Sequence, residues 1–180
     1  MRRLPLVLLA SAALGCGTGP YGYSRAYQPL DAEAAAANGA TEYDPVMAQR
    51  QPEEWLRKKV TLFGVVEARA DKGGATELTL SVRKLEGRNA CETSADDSCR
   101  TTVGDHEFAV LRARITMATA ADASGPESIG FGSLVRVVGS IVAQRATEPA
   151  SGPQVLDATY YRHWPRGYYR TTADKSVLRR

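Results

Sequence analysis

Histidine is nearly missing from this chain: two copies among 180 residues, beside only three cysteines. His106 and His163, taken with Cys91 and Cys99, do not match the usual zinc spacings, which argues against a metal centre built on them. No Gly-x-Ser-x-Gly turn occurs, so the common setting of a serine nucleophile is absent. Gly132-Ser133 and Gly139-Ser140 sit in or beside a strand pattern instead. There is no phosphate loop or haem motif. Glu92, Asp96 and Asp97 share one loop, but the glycine-containing calcium spacing is lacking. His106, between Asp105 and Glu107, reads as a solvated strand entrance rather than a dyad, and His163 as a packed or surface histidine. Carboxylate pairs abound, but acid–base work needs a cleft and shifted pKa values that no sequence displays. The expectation is a chain with no catalytic residue, no metal and no cofactor: not an enzyme.

Long apolar runs are also absent. Leu4 to Leu14 gives eleven apolar or small residues after Arg2 and Arg3. That is short of the roughly 20 needed to span a bilayer, and fits an export signal. Ala13-Leu14-Gly15-Cys16 resembles the lipobox of a bacterial lipoprotein signal peptide, though leucine stands one place later than in the commonest form. An ordinary cleaved signal is the alternative. The resemblance implies a signal over residues 1–15 and a lipid on Cys16, the new first residue. Gly17 rather than aspartate follows, which resembles the outer-membrane sorting pattern. Acyl chains contribute roughly 0.8 kcal/mol per buried CH₂, so a membrane anchor at Cys16 needs no spanning helix.

Lipidation also resolves the odd cysteine count, leaving Cys91 and Cys99 as a pair in an oxidising compartment. A disulfide closing so short a loop stabilises by on the order of 2–3 kcal/mol if unstrained.

Charge is unevenly spread. The chain is +3 in all, and +1 without Arg2 and Arg3. Residues 162–180 hold Arg162, Arg166, Arg170, Lys175, Arg179 and Arg180 against Asp174, a net +5, so the rest of the mature chain is −4. A basic end on an acidic body suits an anionic partner; a solvated tail is the plainer alternative.

Residues 16–43 read as a lipidated tether, rich in Gly, Ala, Ser and Pro. Asp31 to Ala37 offers a short helix capped by Asp31, marginal alone. Residues 44–165 read as the folded domain. Asp44-Pro45 is a helix start, and Glu53 to Lys58 continues it with Glu53–Arg57 and Glu54–Lys58 pairs. Five strand patterns follow, at 60–66, 77–82, 108–115, 133–142 and 155–161, with a turn at Asp71–Gly74. Leu62, Leu78, Leu80, Val110, Val135, Val137 and Ile141 are the expected core. The expected fold is all-β with a short N-terminal helix: a small five-stranded OB-type Greek-key barrel, with the long connection between the third and fourth strands. Gly64 and Gly139 fit strands that must bend. An open sandwich or meander is the alternative. Residues 166–180 read as a basic tail.

Lys59–Val66, Gly132–Ile141 and the aromatic strand Tyr160-Tyr161-Arg162-His163-Trp164 resemble the Slp-type outer-membrane lipoproteins. The resemblance covers roughly residues 55–165. It implies a barrel of OB type and an envelope role tied to starvation or stress, with no catalytic residues to carry over. The cysteine loop and the basic, tyrosine-rich end depart from that family's pattern.

Residues 160–170 gather five of the thirteen aromatics with three arginines. Rings interleaved with guanidinium groups suit stacking on sugars, bases or partner side chains, and equally an interfacial position at lipid headgroups. The expected function is a non-enzymatic interaction or structural module of the envelope; the alternative is a binder of an anionic glycan or lipid headgroup through this end. Arg162, Trp164, Arg166, Tyr168, Tyr169 and Arg170 are therefore the expected interaction surface. Barrel closure by Tyr160, Tyr161 and Trp164 is the competing use. The partners these features suit are the membrane at Cys16 and an envelope protein or anionic glycan. Nucleic acid does not suit the exported address or the acidic body.

Overall fold

The computed structural model describes residues 26–90, 99–143 and 152–176. In chain order the elements are α1 (Asp31–Ala37), β1 (Thr41–Glu42), α2 (Pro45–Arg50), α3 (Pro52–Trp55), β2 (Lys59–Lys72) and β3 (Ala75–Arg83). There follow β4 (Thr102–Val103), β5 (Ala109–Ile115), α4 (Ala120–Ala123), β6 (Leu134–Val142), β7 (Val155–Trp164), β8 (Arg170–Thr171) and a 3₁₀ turn, Ala173–Ser176.

Five strands close into a barrel. β2 pairs antiparallel with β3 and β3 with β5, β5 runs parallel to β7, β7 pairs antiparallel with β6, and β6 returns to β2. The order β2-β3-β5-β7-β6 with that closure is the OB-type Greek key. The β2–β3 hairpin turns on Gly73 and Gly74, both at positive φ (56° and 89°), which a tight hairpin favours. A bulge in β2 between Val66 and Ala68 lets its first half pair with β6 and its second half with β3 alone. β6 and β7 slip register at Gly139, where a Cβ would overlap the carbonyl oxygen of Asp157.

Alternation along the strands fills the barrel with Leu62, Val66, Leu78, Leu80, Leu111, Ala113, Ile115, Val135, Val137, Ile141 and Leu156. Val110 is a correction: β5 turns Leu111, Ala113 and Ile115 inward, so Val110 is only half-buried. Tyr43 and Trp55 meet edge to face, 5.8 Å between ring centroids, and join this core. The Asp44 cap is as expected, accepting from the amides of Val46 and Met47. α3, however, stops at Trp55 because Arg57 takes a positive φ of 61°. The expected pairs to Arg57 and Lys58 thus lie beyond the helix, and the Lys58 ammonium sits 4.3 Å over the Trp55 ring instead.

A second cluster lies outside the barrel. Phe63, Val103, Leu134 and Trp164 are buried there, with Tyr27, Val65, Leu85 and Tyr169 packed against them. Both chain ends build it, which corrects two boundaries. Residues 26–43 are not a loose tether: α1 packs on β7 and β1 pairs parallel with β2. Residues 166–176 are not a loose tail: β8 pairs parallel with β4, and Asp105 accepts from the Thr172 hydroxyl (2.5 Å) and the Ala173 amide (2.7 Å). In each case a carboxylate and backbone pairing hold a segment whose composition alone reads as unstructured. The remaining parts of both segments, Cys16 among them, lie outside the described residues.

Candidate interaction surface

Arg162 and Trp164 are built into the second cluster rather than left at the surface. Glu33, with 0% of its surface exposed, sits over them on α1. Its carboxylate accepts from the Tyr27 hydroxyl, the Leu30 amide (3.0 Å), Arg136 Nη1 (2.7 Å) and Arg162 Nη1 (3.0 Å). The Leu30 contact makes Leu30, not Asp31, the N-cap of α1, with Glu33 reaching back to its amide. Burial alone pushes the Glu33 carboxyl up, but the bonds from Tyr27, Arg136, Leu30 and Arg162 outweigh it and hold the group below its ordinary value. Burial and the neighbouring Glu33 push the Tyr27 hydroxyl far up. Arg162 lies 4.5 Å over the Trp164 ring and Arg136 5.4 Å from Phe63. These desolvated guanidinium–ring contacts stabilise by roughly 0.5–2 kcal/mol each.

The other expected residues divide between packing and exposure. Tyr169 donates to the Gly132 carbonyl (3.1 Å) and is half-buried; Arg170 lies within β8. Arg166 and Tyr168 face solvent, Tyr168 with 51% of its surface exposed. The Tyr168 hydroxyl donates to Glu127 (2.5 Å), which raises its pKa, and the Arg100 guanidinium lies 6.0 Å from its ring. Phe131, 73% exposed, belongs to the facing loop, next to Gly132 and across from Arg166. Two adjacent loops, 125–133 and 165–169, thus carry Phe131 on one side and Arg166 and Tyr168 on the other, with Arg100 at their edge. Sequence reasoning missed Phe131, Arg100, Glu33 and Arg136. Gly130 and Gly132 around Phe131 were one usable signal, since a bulky ring flanked by glycines in a loop has little to pack on.

A third network has the outline of a catalytic triad. His163 Nδ1 is 3.2 Å from Asp122 Oδ1, and His163 Nε2 is 3.3 Å from Ser133 Oγ. Tyr161 (2.8 Å) and Thr119 (2.9 Å) both donate to the other oxygen of Asp122. Yet Ser133 is only 2% exposed, and its hydroxyl accepts from the Gly130 amide (3.2 Å). The amides of Gly132 and Ser133 donate to the carbonyls of Val66 and Gly130, so neither is open to an oxyanion. The arrangement ties α4 to the edge of β7. Burial pushes the Tyr161 hydroxyl up to about 12 and holds His163 below its usual value, against the pull of Asp122.

An open groove of about 690 Å³ runs beside α2, bordered by Val46, Leu56, Phe108, Val110 and Val142. Among the described residues, none that lines it is charged. Among the described residues no group of three or more His, Cys, Asp and Glu side chains is placed to hold a metal. Cys99 is disulfide-bonded, and the flanking residues Ala90 and Arg100 exchange backbone hydrogen bonds of 3.2 and 2.8 Å. Cys91, the expected partner, lies outside the described residues.

No family model and no curated protein matches the chain. Solved structures do. An OBody, AM3L09, bound to hen egg-white lysozyme is 12% identical, with a TM-score of 0.36 over 63% of this chain and 88% of that one. The aspartyl tRNA synthetase from Entamoeba histolytica is 15% identical, with a TM-score of 0.42 over 93% of this chain and 29% of that one. A putative aspartyl-tRNA synthetase from Leishmania major Friedlin is 14% identical, with a TM-score of 0.41 over 79% and 24%. The chain therefore spans under a third of the length of either synthetase.

Proposed function

We propose that this chain is a non-enzymatic lipoprotein of the outer membrane, anchored through Cys16, whose barrel is an interaction module for an anionic glycan of the envelope. One observation carries the glycan reading: Phe131 stands exposed on one loop, and Tyr168 and Arg166 on the loop packed against it. Flat rings offer faces to sugars, and a guanidinium offers paired donors to carboxylate or phosphate. The groove beside α2 shows no guanidinium among its described residues. The buried Ser133–His163–Asp122 network favours a binding role over hydrolysis, since no substrate carbonyl can reach a covered hydroxyl.

The anchor is tested by metabolic labelling with palmitate, comparing wild type with Cys16→Ser; equal labelling refutes it. The glycan reading is tested by titrating the full chain with oligogalacturonate, and with its methyl ester as an uncharged control. Arg166→Gln should weaken binding and flatten its salt dependence, because exposed charges are screened over roughly 8–10 Å at ordinary ionic strength. Tyr168→Ala should weaken binding and leave the salt dependence intact. Equal affinity in all three proteins would falsify the assignment of this surface.

A further inference from the structure

Arg136 and Arg162 are register partners on β6 and β7, and Phe63 on β2 completes the row across Arg136. Two like charges directly opposite each other destabilise a sheet. An anion laid across the row offsets that repulsion. In the folded chain that anion is Glu33, which gives one oxygen to each guanidinium. It comes from no strand of the barrel. It arrives on α1, seven residues long, joined to β1 through Asn38, Gly39 and Ala40. A helix that short is marginal by itself, so docking sustains it. Removed, it would leave two converging guanidiniums beside two aromatic rings.

We propose that Arg136 and Arg162, walled by Phe63 and Trp164, form a carboxylate-binding site for an acidic glycan, and that the chain's own Glu33 fills this site while α1 is docked. The inference rests on the proposed function, to which it adds the ligand's chemistry, a uronate carboxylate, and a control on access. Tyr169 belongs to the same cluster as Phe63 and Trp164 and bonds to the loop bearing Phe131. A glycan held on Arg166 and Tyr168 therefore has this pair as its neighbouring subsite. Glycan and α1 compete for the same two guanidiniums, and the apparent affinity is reduced by the fraction of chains with α1 lifted.

The test titrates the full chain with oligogalacturonate and its methyl ester. Glu33→Ala should tighten binding of the acid by at least about tenfold, with no gain for the ester. Adding Arg136→Gln and Arg162→Gln should abolish that gain. A synthetic peptide of residues 26–38 should displace oligogalacturonate from the Glu33→Ala chain. If that chain does not fold, Glu33→Gln replaces it, being nearly isosteric and uncharged, with the gain expected in the same direction. Unchanged affinity in the folded Glu33 variant, or a gain that survives loss of both arginines, overturns the proposal. Wild-type binding that needs Arg166 and Tyr168 but ignores Glu33 removes this site and keeps the surface. Binding gained in the Glu33 variant through Arg136 and Arg162, with Arg166 and Tyr168 irrelevant, does the reverse.

Discussion

The inside and the outside of the β2–β6–β7 wall are both buried, by different means. Inside, Leu62, Val135, Val137 and Ile141 meet side chains of the other barrel strands. Outside, Phe63, Leu134 and Trp164 are covered by Tyr27 and Tyr169 from the two chain ends, and the N-terminal cover is fastened through one carboxylate, Glu33. The inner core depends on area removed from water, a term with no direction and little response to pH or salt. The outer one depends on a charge that must stay ionised. The lesson is that one sheet can have two cores of unequal robustness, of which the weaker lies on the side proposed above to meet a ligand.

The sharpest way to break this contrast is Glu33→Ala. It leaves two desolvated guanidiniums without their anion, a change that costs about 3–5 kcal/mol. Amide exchange should show residues 31–37 losing protection while β3 and β5 keep theirs; equal loss in both would make the two cores one. Next in expected effect is Leu80→Ala, in the inner core, at about 2–5 kcal/mol. Here denaturant unfolding should shift as a whole, because the outer cluster stands on the same strands.

Acid should separate the regions in steps. His163 is held below its ordinary 6.5 by burial, so its contribution is complete above that value and falls away as pH drops from 6.5 toward the lower folded value. Glu33 is held below its ordinary 4.5, so its contribution is lost only as pH falls through the still lower folded value. Amides around α4 should therefore open at a higher pH than those of α1. Simultaneous opening, followed by exchange from pH 7 to 3, would count against separate fastening. A smaller loss is expected for Asp44→Ala, about 0.5–2 kcal/mol from the lost cap of α2, seen as a lower thermal midpoint. Smallest of all, Tyr168→Ala should change stability by less than about 0.5 kcal/mol. A larger change in its unfolding midpoint would show Tyr168 to be part of the outer core instead of a surface ring.

Much of the barrel was legible in the residues. Leu78 and Leu80 alternate with polar neighbours, the paired glycines mark the hairpin, and the long third-to-fourth connection gives the topology. Val110 is apolar by type, but it shares its face with Arg112 and Arg114, while the opposite face of the 108–115 strand, Ala109, Leu111, Ala113 and Ile115, is apolar throughout; alternation, not residue type, chooses the register. The proposed interaction surface was less legible. Composition groups Arg166 and Tyr168 with Arg162 and Trp164, which differ from them in burial and not in type.

By itself, the sequence determined the strand pattern, the barrel order that follows from it, the Asp44 cap and the scarcity of groups for metal or nucleophilic chemistry. These are local properties, carried by neighbours a few residues apart. Only the tertiary structure decided that an alanine-rich segment is docked and not loose, that Glu33 faces Arg136 and Arg162 across more than a hundred residues, and which aromatics stay exposed. The physical reason is that a buried charge is stable only where its counter-charges converge. Convergence is a property of the closed sheet, which no stretch of neighbouring residues contains.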